Sequence, residues 1–291
     1  MISRSQTFTF QTRLNINEIV CEIVDACAAL FSRVERSLFA EISSGKDACQ
    51  LKSSYQVKYG ITARQYNSCR VQLQGKIEAY KASLNLRMAS MQERIASLEC
   101  TIAKLAKKKN SERHNIHQKK RRLSHLRLKL ARLQSDRDSG KVRLCFGSKK
   151  LFHAQFHLQA NGYASHENWK EDWQLSRNKT FFFLGSKDES GGNQTCTATI
   201  QENGNIKLRL RLPDVLVAKY GKYIEFNNVN FHNGHKHIIA ALKDCDERNR
   251  LKKAKDKQYG QSSHYTTRFI HCLTAKILFR LCCRLRFPGA P

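Results

Sequence analysis

The chain opens on an alternation. Phe8, Phe10, Thr12 and Leu14 are separated by small or polar neighbours, the period-two pattern of a half-buried strand. Asn17 then stands where a helix N-cap would. Val20, Ile23, Cys27, Leu30, Val34, Leu38 and Ile42 follow at steps of three or four, which predicts an amphipathic helix to about residue 43, stopped by Gly45. A second helix is expected over about 47–59, ending at Gly60. Thr62 and Gln65 have the spacing of a capping box, in which the hydroxyl takes the amide of the third residue and the Gln side chain reaches back. Beyond it Tyr66, Cys69, Leu73, Ile77, Tyr80 and Leu84 share one helical face. Met91, Ile95, Leu98, Ile102 and Leu105 continue it at alternating steps of four and three, a heptad seam. Lys107 to Ser111 break the seam, and Ile116, Leu123, Leu126, Leu130 and Leu133 restart it. Two helices about a breaker predict an antiparallel hairpin closed at about 110–112, with a seam through which two copies could also associate.

The period changes at Ser139 and Gly140. Short extended runs follow at Val142–Phe146, Phe181–Leu184, Thr195–Ile200, Ile206–Leu212, Tyr223–Phe226 and Val229–Phe231. Gln201 to Asn205 reads as a hairpin turn, Pro213–Tyr220 as a short helix, and 235–257 as a last helix. The connections are too short for parallel crossovers, so the strands are expected to be antiparallel. The pattern is α+β: a small antiparallel β-barrel whose first strand (residues 1–16) is separated from the rest (139–260) by a long helical insertion (17–138), with a basic and apolar tail over 261–291. Ile270, Leu273, Ile277, Leu281 and Leu285 in that tail fall at helical steps. Lys276, Arg280, Arg284 and Arg286 interrupt it too often for a membrane span.

Charge narrows the choice of partner. Fifty-two Lys and Arg against 24 Asp and Glu give the 291-residue chain a formal charge of +28. The imbalance is local: residues 1–100 carry 13 basic and 9 acidic groups, 101–150 carry 17 and 3, and 151–291 carry 22 and 12. A solvated coiled-coil face would balance its signs, and this stretch does not. A polyanion is implied, nucleic acid before an anionic membrane, so the expected partners are RNA and DNA and no membrane. The 11 cysteines are odd in number and include no C-x-x-C spacing, and the first residues lack a signal-peptide core. Reduced, buried thiols in a cytoplasmic, nucleoid-associated protein are expected.

Candidate chemistry follows the charge. Lys107, Lys108 and Lys109 fall at the hairpin tip. Lys119, Lys120, Arg121, Arg122 and Arg127 fall along its second arm, and Lys149 and Lys150 after the run ending at Phe146. Lys207, Arg209 and Arg211 alternate with Ile206, Leu208, Leu210 and Leu212, which sets the three cations on one sheet face. Such groups grip phosphate with little regard to sequence. Tyr163, Trp169, Trp173 and Phe181 to Phe183 lie near these patches and could stack on bases, although core packing is the ordinary role of such residues. His232, His235 and His237 could reach one Zn²⁺, but no fourth ligand is near and they bridge a strand end and a helix start. Neither Gly-x-Ser-x-Gly nor a phosphate-binding Gly-Lys-Ser/Thr loop occurs. The carboxylates after residue 200 do not form the strand-central set that two-metal nuclease chemistry needs. No catalytic residue, metal or cofactor is assigned.

One ordered series of motifs carries a family resemblance. It comprises Tyr59 to Asn67, Phe146 to Phe152, Gly185 with Glu189, Gly192 and Asn193, Leu210 to Pro213, Lys219 to Tyr223, and Val229 to Phe231 with Gly234. Over about residues 5–260 the chain resembles the N-terminal half of the TnpB/OrfB-type proteins of bacterial insertion sequences, transposon-encoded RNA-guided DNA nucleases. The resemblance implies an oligonucleotide-binding-like barrel split by a helical recognition insertion. It also implies that these parts hold a guide RNA and its duplex with DNA, while base pairing reads the sequence. The family continues into an RNase-H-like nuclease domain that uses divalent metal and contains a zinc module. Nothing in these 291 residues resembles it, so binding without cleavage is the expectation.

Overall fold

The structure is a computed structural model that describes residues 6–107, 113–185, 193–253, 265–272 and 276–285. In chain order its elements are β1 (Gln6–Asn15), α1 (Glu18–Ser43), α2 (Lys52–Tyr59), α3 (Ala63–Ala106), α4 (Arg113–Asp138), α5 (Lys149–Ala154), α6 (His166–Arg177), β2 (Thr180–Phe183), β3 (Cys196–Ile200), β4 (Ile206–Arg211), α7 (Asp214–Tyr220), β5 (Tyr223–Val229), α8 (His235–Lys253), β6 (Tyr265–Cys272) and β7 (Lys276–Leu285). The class is α+β. The chain divides into two compact units, Met1–Gln72 with Phe146–Pro291, and Leu73–Cys145.

The first unit contains every described strand. β4 lies between β3 and β5 in a three-stranded antiparallel sheet. Its alternation is as the sequence implies: Ile206, Leu208 and Leu210 are fully buried, while Lys207, Arg209 and Arg211 are not. The Gln201–Asn205 turn closes through the Gln201 amide, 2.8 Å from the Asn205 carbonyl. The other sheet has the order β1-β7-β6-β2 and is antiparallel throughout. α1 starts at the Asn17 cap, whose Oδ1 accepts the Val20 amide at 2.9 Å. It lays Phe31 against Phe181 and Phe183 of β2, at centroid separations of 5.8 and 5.4 Å. Aromatic contacts of this kind stabilise beyond the area they bury.

Four sequence expectations need correction. The strands do not close into one barrel. They form two separate sheets: β1 is the edge strand of the four-stranded one, paired with β7, and it meets the segment after β5 through the Thr12 hydroxyl, which donates to the Asn230 carbonyl at 2.6 Å. Val142–Phe146 is not a strand: no described strand lies beside it, and a period-two run without a partner strand has no ladder for its backbone hydrogen bonds. The tail at 265–285 forms strands β6 and β7 rather than a helix, and Phe279 and Leu281, two positions apart, are both fully buried. The run at 223–226 continues through Val229 as one strand, β5, which ends before Asn230 and Phe231; its register shifts opposite Ile206 and Leu208, and Asn228 is left-handed at φ 55°. The helices α5 and α6 add to the expected set, capped by Ser148 and Ser165.

Buried polar groups join the two sheets. The Asn193 side chain donates to the Phe183 carbonyl at 3.2 Å and accepts the amides of Thr195 and Cys196, at 3.1 and 3.0 Å. The expected capping box exists. Thr62 Oγ1 accepts the Gln65 amide, and Gln65 Oε1 accepts the Thr62 amide at 2.9 Å. Gln65 Nε2 also donates to the Arg211 carbonyl, and Ser68 Oγ accepts the Leu184 amide at 3.0 Å. Gly60, which ends α2 at φ 56°, leaves room for α7: a Cβ there would lie 2.8 Å from that of Val215.

The second unit is the helical hairpin. Leu84, Met88 and Leu133 form its buried cluster, with Tyr80, Met91 and Leu130 against it, while Arg127 reaches Glu99. Residue numbers rise along α3 as they fall along α4, so the arms are antiparallel. The expected turn at 110–112 lies outside the described residues.

If β7 is part of the core, Leu281→Ala leaves a cavity. It should cost about 2–5 kcal/mol in urea unfolding, whereas an unchanged midpoint would mean that the strand contributes nothing.

Candidate nucleic-acid interface

The arms of the hairpin place the largest group of candidate cations. Lys107 is exposed just after α3, and Lys108 and Lys109 lie outside the described residues. Lys119, Lys120, Arg121, Arg122 and Arg127 are on α4, whose apolar stripe buries Leu123, Leu126 and Leu133. The cations stand around the rest of the helix. Arg113, Lys120 and Arg127 repeat every seven residues, about two turns, as do Arg122 and Lys129.

Few carboxylates meet them. Asp136 is buried and gripped from two sides by Arg143, Nε at 2.6 Å and Nη2 at 2.8 Å. Asp138 pairs with Arg137 at 3.0 Å, and Glu99 with Arg127 at 2.6 Å. The last pair is exposed, so it holds Arg127 weakly and leaves it exchangeable with a phosphate. Among the described residues, Arg113, Lys119, Lys120, Arg121, Arg122, Lys129 and Arg132 make no ion pair.

The sheet cations differ. Lys207, Arg209 and Arg211 do share the outer face of β4, but each has an internal partner. Lys207 pairs with Glu225 at 2.7 Å, and Arg211 with Asp214 at 3.1 Å. Arg209 lies over the Tyr223 ring, 4.7 Å from its centroid. Sequence alone could not pair them, because Glu225 and Tyr223 come from the neighbouring strand. Beside this face a cleft of about 550 Å³ is lined by Gln56, Thr62, Arg64, Gln194, Arg211 and Asp214 among others. Lys149 and Lys150 open α5 and are exposed.

The aromatic candidates separate. Phe181, Phe182 and Phe183 are core, as is Trp169, whose indole donates to the Leu151 carbonyl at 2.7 Å. Tyr163 is half-buried and donates to Asp172. Trp173 is half-buried, and two rings that sequence reasoning passed over, Phe152 and Phe156, are exposed beside it. The signal available was their spacing, four apart, immediately after the Lys149–Lys150 pair.

The histidines do not converge. The Phe231 amide donates to His235 Nδ1 at 3.4 Å, so the proton sits on Nε2, which donates to the Gly204 carbonyl at 2.9 Å. His235 thereby ties the start of α8 to the β3–β4 turn. Among the described residues no group of three His, Cys, Asp or Glu is placed to hold a metal ion, and no helix is long and apolar enough to cross a membrane. No protein-family model and no curated protein matches the chain.

The hydrogen bonds from Arg143 hold the Asp136 carboxyl below its ordinary value, against an opposing burial effect. A carboxylate depressed on folding stabilises above its unfolded value, about 3.9, and loses that contribution as pH falls through its folded one. Asp136→Asn should therefore melt at a lower temperature than the parent at neutral pH, with the gap closing below about pH 4. A gap that is constant with pH would contradict this role.

Proposed function

We propose that this chain is a nucleic-acid-binding protein of the kind its motifs resemble, the guide-holding half of a TnpB/OrfB-type protein. In this reading it binds RNA and RNA–DNA duplex through the phosphate backbone and does not itself cleave. The observation that carries the reading is the set of seven α4 cations that make no ion pair among the described residues. Side chains of one sign, crowded on one helix, repel one another, and a chain of phosphates is the partner that converts this repulsion into affinity. Phosphate contacts of this sort tolerate sequence, which fits a protein whose specificity comes from a paired guide.

The sheets fit this reading as an opened form of an oligonucleotide-binding-like barrel, with the cleft beside Arg64 and Arg211 at one end of β4. The sheet cations, engaged with Glu225, Tyr223 and Asp214, take a secondary part, and the hairpin the main one. Binding of this type places the protein in the cytoplasm with the nucleoid. Cleavage is left out because no carboxylate set of the two-metal type is offered by the sequence.

Salt tests the reading. The log affinity for duplex should fall linearly with log salt, and replacing Lys119, Lys120, Arg121 and Arg122 together by Gln should flatten the slope by about 0.9 for each phosphate that is no longer neutralised. A parent affinity indifferent to salt would overturn the proposal.

A further inference from the structure

We propose that α5 and α6, with the adjoining face of α1, form a stacking site for an unpaired nucleotide: Phe152, Phe156 and Trp173 as the ledge for its base, Arg36 and Arg177 as the grip on its phosphate. The inference rests on the nucleic-acid reading and adds to it a preference for single strands.

The ledge is a continuous run of rings with one end in water. Trp169 is buried and lies nearly parallel to Trp173, 12° apart with centroids at 6.1 Å. Trp173 is 5.4 Å from Phe152, which is 6.3 Å from Phe156. Exposure rises along the series, to 39% at Phe152 and 63% at Phe156. Aromatic rings normally lie buried, and two adjacent ones left open beside cations have the composition of a base-stacking surface.

The cations are held beside the rings. Arg36 Nε donates to the Ser32 carbonyl at 3.1 Å, and the Ser32 hydroxyl donates to the Arg177 carbonyl at 3.3 Å, which ties α1 to the end of α6. Arg177 lies 5.9 Å from the centre of the Trp173 ring, and its Nε is buried with no hydrogen-bond partner. Burial, and then the charge of Arg36, push Arg177 down from its ordinary value. Burial, and then Arg33, do the same to Arg36. Like charges brought together in this way are relieved by an anion.

Neighbouring residues complete the charge pattern. Gly147, at φ 98°, presses on both groups: a Cβ there would be 3.0 Å from the Trp173 ring and 3.3 Å from Arg177 Cγ. Lys149 and Lys150 follow directly and are exposed. Trp169, Trp173 and Arg177 repeat every four residues along one stripe of α6, and Glu167 and Glu171, two positions off it, fall on the opposite side of the helix. Asp172, one position before Trp173, accepts the Tyr163 hydroxyl at 3.0 Å, and the ledge is flanked by the cations Arg36 and Arg177 and, on α5, by Lys149 and Lys150. A base inside a duplex already has its faces covered, so only an unpaired one can use the ledge.

The chain contains two tryptophans, both in α6, so its indole emission reports on this site. The full chain should be titrated with oligouridylate and with a fully paired, blunt-ended RNA duplex of the same length, following emission and electrophoretic mobility together. The single strand should quench the emission, and the duplex should bind without quenching. Phe156→Ala, at an exposed position, should weaken single-strand binding by about 5- to 150-fold, the range for removal of one stacked base, and leave duplex binding unchanged. Arg36→Gln should flatten the single-strand salt slope by about 0.7. Equal quenching by both RNAs, or a Phe156→Ala chain that binds single strands as the parent does, would overturn the stacking site and leave the hairpin reading standing. Binding of neither RNA would remove both.

Discussion

Two buried side chains in the first turns of α3 hold the strand unit together. Gln65 closes its own helix cap and donates to the last carbonyl of β4, and Ser68 takes the amide that follows β2. One helix terminus is thus bonded to both sheets. Asn193 binds them a second time, from the Phe183 carbonyl to the amides that begin β3. A buried amide left without its partner costs about 1–3 kcal/mol, so the relative placement of the sheets is fixed by a few polar contacts as much as by the apolar core. That placement sets Arg211 beside Arg64 in the cleft, and turns the outer face of β4 toward Glu225 and Tyr223 of β5.

The two groups of cations then separate by what surrounds them. On the sheet, β5 supplies Glu225 to Lys207 and the Tyr223 ring to Arg209, and the start of α7 supplies Asp214 to Arg211, so much of the charge on this face is met internally. On α4, among the described residues, the neighbouring arm supplies Glu99 as an ion-pair partner, and the two acids of α4 itself are taken by Arg143 and Arg137. At physiological salt, charges within about 8 Å still interact, which includes neighbours one turn apart on a helix. The hairpin folds despite this repulsion because Leu84, Met88 and Leu133 pack on its inner side. The unpaired cations and the packing residues therefore occupy different faces of the same helix.

Local signals were the legible ones. The Asn17 cap, the Thr62–Gln65 box, the β3–β4 turn and the alternation along β4 can all be read within a few residues, and each is found. The seam from Met91 to Leu133 reads as a hairpin because its period breaks at Lys107 to Ser111 and then resumes. What escaped reading depends on distant partners. In the tail the apolar residues, broken by Lys276, Arg280 and Arg284, fall at helical steps, and only the pairing of β6 and β7 with each other and with β1 and β2 decides for strands. Val142–Phe146 has the right alternation, but no described strand pairs with it. At the candidate site, sequence placed Lys207, Arg209 and Arg211 on one face correctly, but it could not see that the next strand engages Lys207 and Arg209. Nor could it see that Phe152 and Phe156 stay exposed while Trp169 is buried.

The most direct test of the central claim is to purify the full chain at moderate salt and sequence the nucleic acid that stays with it. The account predicts a retained RNA, protected from added ribonuclease and released as salt rises. Protein that purifies free of nucleic acid, and takes up none when RNA is returned to it at low salt, would contradict the account.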